Sequence, residues 1–473
     1  MFIIDIMMAI SNWLWGWPLL ILTSAVAVYL SVRFKFFQFT RFGHAMKNTF
    51  GKIFNKGDGE GDISPFQACC TALASTLGVG NIAGVSVAIA TGGPGAVFWM
   101  WAVALMGFIV KFSEITLGMA YRERDPETGR WHGGFYWYVR RGLGKSWKWL
   151  GIFWAVILGC AMVFAPAVQA NSVVEAIRVS FDVPGWIVGV IFAVIMAVVL
   201  VGGIKSISSF AEKVVPLMAL AYVIGSIFIL VKFGSNIPHV FAMIFEYAFT
   251  PMAATGGFAG STVMLAIRWG LARGVYSNEA GMGSAPNAAA TADVSHPAKQ
   301  GLVQMLSVFI DTLLICSATA FMCLCSGVEP TKEAAGAAYV QASMQQALGS
   351  FGPIFIAVSM SLFAFTTLIG NYYYCEGCLK YILRRDPSKA GMTVFRLAAT
   401  ALVFVGAIVS AGLAWDTADM LQGTMVIINI PVILILSNKG LAVLKDYMRQ
   451  RKEGKNPEFH AADIGITGTD YWN

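Results

Sequence analysis

The strongest constraint on this chain is the recurrence of apolar runs too long for a soluble core. A helix needs about 20 predominantly apolar residues to cross hydrocarbon. Eleven stretches meet that need, near residues 14–32, 66–90, 95–120, 149–175, 184–203, 212–232, 256–281, 301–326, 351–381, 394–414 and 418–437. Only 12% of the chain is charged against 57% hydrophobic, which leaves too little polar surface to solvate a soluble protein. The expected fold is an all-α polytopic membrane protein with about 11 transmembrane helices. The first run follows no basic stretch and shows no small-residue cleavage site, so it is read as retained. Segments 1–13 and 237–249 are amphipathic and are expected along the membrane surface, with a short buried helix as the alternative for the second.

Lys and Arg in short loops orient such a chain. With the N-terminus outside, 29 of the 33 fall in the inside segments 33–64, 121–148, 204–213, 268–300, 378–396 and 438–473. Arg178, Lys232 and Lys332 fall outside, and Lys111 lies within a span. The bias predicts a cytoplasmic C-terminus, in the plasma (inner) membrane of a cell. The net charge of +7 is thereby a topology signal and calls for no nucleic acid. The tail KDYMRQRKEGK (445–455) reads as a solvated end, with anionic lipid as a second contact.

Several chemistries lack their residues. Most of the eight cysteines lie within spans, which argues against a disulfide scaffold. Cys375 and Cys378 form a lone CEGC, read as small apolar filler without a redox domain around it. The five histidines pair with no cysteine or carboxylate at ligand spacing. No phosphate-binding glycine loop or GxSxG motif is present, so no enzyme is expected.

The stretch STLGVGNIAG (75–84) then stands out, because three glycines and an asparagine interrupt a run that should span lipid. Backbone groups cannot be left unsatisfied in hydrocarbon, so a broken helix survives only where it lines a polar cavity or is buried in protein. A break frees carbonyls for a cation and aims the next half-helix N-terminus at an anion. Gly78 and Gly80 permit the turn, while Ser75, Thr76 and Asn81 offer oxygens. Gly84, Gly92 and Gly93 are accounted for by close helix packing. A second interruption, GLARGVYSNEAGMGSAP (270–286), lies five spans later. Breaks in corresponding positions of two five-helix halves point to an inverted-repeat transporter.

Other polar groups lie within the spans. Thr366, Thr367 and Asn371 interrupt span nine, and Gln169 and Asn171 interrupt span four. Adjacent threonines either bond their own helix carbonyls or serve a hard monovalent cation. Lys111 and Glu114, three apart on one helix face, read as a local ion pair. Asp311 and Glu279 have two readings, a buried structural acceptor or the carrier of a coupled proton.

GGPGAVFWMWAVALMG (92–107) resembles the signature of the alanine/glycine:cation symporter family. RGVYSNEAGMGSAPNAAATA (273–292), NIAGV (81–85), VQANS (168–172) and FAFTT (363–367) extend that likeness across residues 10 to 440. The resemblance implies sodium-coupled uptake of small neutral amino acids and a LeuT-like five-helix inverted repeat, preceded by one extra N-terminal helix. It implies that the carbonyls of Ala74 and Leu77 and the hydroxyls of Thr366 and Thr367 hold a sodium ion. Thr76 and Asn81 become candidates for a second cation or for the substrate carboxylate. Gly78, Val79, Gly80, Gln169, Val275 and Asn278 are the implied substrate contacts, with Asn371 in the pocket wall. Two positions depart from the family, which often has threonine at Val79 and tryptophan at Asn371. The missing indole would leave room for a larger side chain.

The expected organisation is an extra helix and basic loop over 1–64, repeats over 65–235 and 236–437, and a basic tail over 438–473. The expected activity is symport of alanine or glycine with sodium into the cell by alternating access. A larger neutral amino acid such as glutamine, or proton coupling, are the alternatives. The lipid bilayer is the other expected partner, and the sequence offers no obligatory protein partner.

Overall fold

A computed structural model describes residues 2–51, 57–252, 261–330, 335–384, 387–409 and 411–472. Ten of the apolar stretches fall on helices, as does the part of 256–281 that begins at residue 261. Among the described residues, eight helices are long and apolar enough to cross a membrane, and the bent pair Pro65–Thr76 with Gly80–Gly92 makes a ninth. The remaining two are shorter. Gly185–Leu200 and Val263–Asn278 have 16 residues each, and the latter carries Arg268 and Arg273. Large apolar side chains such as Val198, Leu217 and Val231 stand 69–78% exposed on these helices. Such a surface suits lipid rather than water.

The first broken helix starts on a reciprocal cap. Ser64 Oγ accepts from the Gln67 N–H, Gln67 Oε1 accepts from the Ser64 N–H, and Pro65 occupies the first turn. The helix Phe351–Leu383 runs against it so closely that a Cβ on Gly370 would stand 2.7 Å from the Ser75 nitrogen. Only glycine allows that approach. Phe351–Leu383 also packs on Lys148–Phe181, while Val263–Asn278 and Pro297–Val308 both pack on Gly95–Ala120.

Three expectations change. Residues 1–13 do not form a separate surface segment. From Asp5 the helix runs on into the first span as Asp5–Arg33, because Trp15 anchors the join by donating Nε1–H to the Asp419 carbonyl at 2.9 Å. The short helix Ile237–Glu246 buries Val240 and Ile244 and exposes Phe241 and Phe245, as an interfacial helix would. The helix Ala337–Leu348 was hidden in an expected loop; its Gln341 amide donates to the Ala176 carbonyl. Finally, Arg268 and Arg273 do not belong to the inside segment 268–300. They lie within the helix Val263–Asn278 and meet Asn12 and Asp419, so neither is a loop residue. Lys52, Lys56, Lys332 and Arg385 lie outside the described residues.

The C-terminal segment is only partly solvated. Ser437–Lys452 is a helix with Lys445, Arg449, Arg451 and Lys452 exposed, but the chain beyond folds back and buries Phe459, Ala461 and Trp472. Arg122 is the reason. Fully buried, its guanidinium donates to the carbonyls of Glu60, Ala290 and Ala292 and lies 4.0, 4.7 and 5.1 Å from the rings of Trp131, Trp472 and Tyr471. Burial draws its pKa down to about 10, so it stays charged at neutral pH. Arg122→Ala should lower the apparent melting temperature in detergent by roughly 5–10 °C, as three carbonyls and three rings lose one partner. Lysine should not restore it, having no planar fork to stack and bridge. An unchanged melting temperature would show that the rings alone hold the tail.

Candidate functional site

The helix Pro65–Thr76 ends at Leu77, where ψ is 87°. The chain resumes at Gly80 as a π-helical turn, Gly80–Gly84, and continues as Val85–Gly92, bent 56° from the first half. Side chains serve the backbone freed by the break. Gly78 N–H donates to Asn81 Oδ1 at 2.9 Å and Val79 N–H to Gln169 Oε1 at 3.1 Å. Thr367 Oγ–H donates to the Leu77 carbonyl at 3.1 Å, with Thr366 Oγ1 at 3.5 Å. Thr366 also bonds its own helix at Phe363. A Cβ on Gly78 would stand 2.5 Å from Thr367 Oγ1, so glycine is required where the two elements meet.

The second helix, Val263–Asn278, ends at Glu279 in the left-handed region (φ 54°), and Gly281 and Gly283 follow with φ of 88° and 85°. Its backbone is served from the opposite side. Lys111 Nζ donates to the carbonyls of Asn278 and Glu279 at 3.2 and 3.4 Å. Glu114, 3.4 Å from Lys111, accepts from the Gly283 N–H, and Asn429 bridges Glu114 to the Gly281 carbonyl. The expected local ion pair is therefore present, but its work is to satisfy a broken helix.

One carboxylate joins the two breaks. Asp311, on the π-helical turn Phe309–Cys316, accepts from Asn81 Nδ2 at 2.7 Å, Ser277 Oγ at 2.6 Å and Thr312 Oγ1 at 2.8 Å. π turns of this kind recur at functional sites. Asn81 itself donates to Ser277, and the Thr319 hydroxyl donates to the Asn81 carbonyl. A second link runs through Ser75, whose hydroxyl lies 2.6 Å from Asn371 Oδ1 and 3.0 Å from Glu279 Oε1. The Tyr276 ring would meet a Cβ on Gly80 at 2.9 Å and stacks near Trp415. Above it Arg273 grips Asp419 with two bonds of 2.9 Å.

The structure thus gathers Leu77, Gly78, Val79, Gly80, Gln169, Thr366 and Thr367 at one point, with Ala74 buried in the turn before it. Thr76 turns its hydroxyl to Leu73 on its own helix. Asn81 faces Asp311, its side-chain oxygen already engaged by Gly78. Asn278 bonds Thr312 and Ala280, and with Val275 lines a cavity of about 20 Å³ beside Thr23 and Val110 of the first and third spans. Asn371 borders a larger cavity of about 100 Å³ with Pro166, Met196, Tyr372 and Phe395. Asn171 turns away to the Val409 carbonyl. Arg273 and Asp419 went unrecognised in the sequence, and Ser75 and Ser277 were legible only as polar groups of the two interruptions. Ser277 sits in the second interruption, and that was its one available signal.

Comparison with known proteins agrees. The pattern of the sodium:alanine symporter family matches residues 1–461. The chain is 36% identical to the sodium/alanine symporter AgcS of Methanococcus maripaludis, covering 96% of this chain and 99% of that one. It is 39% identical to a Bacillus subtilis protein named "Probable sodium/glutamine symporter GlnT", covering 94% and 91%. A solved structure of a Na+-coupled sialic acid symporter superposes with a TM-score of 0.52 at 12% identity, covering 91% of this chain and 86% of that one. That likeness bears on the fold alone, which is LeuT-like as expected. The relatives are transporters and not enzymes. On this evidence the chain is a multi-pass membrane protein that belongs to the sodium:alanine symporter family.

Proposed function

We propose that this protein moves a small neutral amino acid into the cell together with sodium, by alternating access. The observation that carries the reading is the meeting of the broken backbone at Leu77–Val79 with Thr366, Thr367 and Gln169. A carbonyl and two hydroxyls are hard oxygen donors suited to sodium. We assign the cation to Ala74, Leu77, Thr366 and Thr367, with Asn81 positioning the break. The substrate is assigned to Thr76, the backbone of Gly78, Val79 and Gly80, the Gln169 amide and Asn371. Val275 and Asn278, at the second break, are assigned to the substrate as well. The half-helix starting at Gly80 turns its positive end toward the substrate carboxylate. Sodium bound at Leu77 fixes the break in one shape, so each ligand favours the other.

Access would alternate as one helix bundle, built from residues 65–235 and 236–437 as two repeats, rocks against the other. We assign the outer closure to Tyr276, Trp415 and the Arg273–Asp419 pair. The inner path follows a cavity of about 300 Å³ that reaches Tyr373, Asn287 and Lys380. We infer an outside N-terminus and a cytoplasmic basic C-terminal segment, which the distribution of Lys and Arg supports.

The test is uptake of labelled alanine into liposomes holding the purified protein. Accumulation should require an inward sodium gradient, and glycine should compete. Uptake indifferent to sodium and driven by a proton gradient would overturn the assignment and move coupling to Asp311 or Glu279. A glutamine substrate is the second reading, favoured by the cavity beside Asn371 and by the name of the relative GlnT. Asn371→Trp should fill that space and weaken competition by glutamine roughly tenfold relative to alanine. Equal competition by glutamine in both proteins would refute the role of this wall.

A further inference from the structure

The ends of the first and last spans meet where Arg33 donates to Asn438 at 2.7 Å. Beyond them the helices Phe42–Phe50 and Ser437–Lys452 both pack on Pro297–Val308 and are linked by His44 Nε2 and the Tyr447 hydroxyl at 2.9 Å. Between them opens a groove of about 550 Å³ lined by Arg41, His44, Lys445, Arg449, Arg451 and Lys452. Among the described residues no carboxylate lines it. Asp446 of the same helix is buried and accepts from His296, Arg449 and Gln450. Just before the groove, Phe36 and Phe39 hold rings 50% and 47% exposed.

We propose that this groove is a binding site for the headgroup of an anionic phospholipid. Arg449 is paired with Asp446, but Arg41, Lys445, Arg451 and Lys452 crowd the same groove, and among the described residues no carboxylate lines it. Like charges repel one another, and the field is strongest beside a low-dielectric bilayer. A phosphate diester placed among them relieves that repulsion and accepts charge-assisted bonds from Arg41 and Arg451. The exposed phenylalanines offer the acyl chains an apolar surface at the same level, which a free phosphate would not use. Headgroup and chains are thus met by neighbouring parts of one surface.

The experiment follows the apparent melting temperature of the full-length protein in detergent. It is titrated with phosphatidylglycerol, phosphatidylcholine or inorganic phosphate. Phosphatidylglycerol should stabilise at concentrations where phosphatidylcholine does not. In R41Q/R451Q/K452Q its half-saturating concentration should rise by roughly fivefold per side chain removed. In K145Q/K205Q/K389Q, which loses the same charge elsewhere, it should stay as in the wild type. Equal effects of the two lipids, or equal titrations of the two triple variants, would overturn the proposal. So would stabilisation by inorganic phosphate at the same concentrations, which would mark a free-anion site. If the groove triple variant does not fold, R451Q and K452Q singly carry the same comparison, both positions being exposed.

Discussion

Asp311→Ala should abolish accumulation of substrate, by at least about 100-fold, and should lower the apparent melting temperature as well. Its carboxylate is buried and accepts from Asn81, Ser277 and Thr312. Alanine leaves those donors facing apolar neighbours, and each buried donor without a partner costs about 1–3 kcal/mol. Asn81 follows the first break and Ser277 precedes the second, so their common acceptor sets how the two breaks face each other. A shift of about 1 Å there is enough to cost a bound ligand its contacts. Asp311→Asn separates shape from charge. It keeps one oxygen for Asn81, while the two hydroxyls can turn to accept from its amide. Uptake within about tenfold of the wild type, still driven by sodium, is expected, because the proposed role is to hold the breaks together. An asparagine variant that is folded but inactive, in a protein whose uptake follows a proton gradient, would instead make Asp311 the coupling group.

Replacing Thr366 and Thr367 together by alanine should raise the half-saturating sodium concentration roughly 50-fold, two oxygen contacts being worth about 1 kcal/mol or more each. The threonines sit on an unbroken helix, Phe351–Leu383, and reach the Leu77 carbonyl on the broken one. That is the geometry of a bridge between a rigid element and a hinged one. Valine at both positions keeps the volume and removes only the oxygens, so it should match alanine in sodium dependence and exceed it in stability. Sodium activation in liposomes distinguishes the cases. A half-saturating concentration unchanged in the double variant would remove the threonines from the cation site.

The first break was legible because glycine and asparagine in an apolar run conflict with a continuous membrane helix. Thr366, Thr367 and Gln169 were legible for the same reason, as polar groups that lipid cannot serve. What sequence could not supply was the direction of each side chain. Thr76 and Asn81 lie on either side of the break, yet one bonds its own helix and the other crosses to Asp311. Lys111 and Glu114 looked complete as a pair, so nothing pointed to the backbone of residues 278–283 that they serve. Arg273 and Asp419 are 146 residues apart. Counting loop charges took Arg273 for a loop residue, because an arginine within a short helix looks the same as one in a loop. The buried C-terminal segment was misread for a related reason. Its basic residues do face solvent, and the aromatic residues after them carry the docking.

That docking also bears on how the chain matures in the membrane. Trp472 donates to the carbonyl of Met119, 353 residues earlier in the chain, three residues before Arg122. At about 5–20 residues per second, Arg122 waits roughly 20–70 s after its own synthesis for the Tyr471 and Trp472 rings that complete its enclosure. During that interval the spans on either side can be inserted while their connecting segments remain unfastened. Assembly of this face is therefore post-insertional. A ribosome that stalls before residue 471 would leave a protein with its membrane helices in place and its final fastening missing.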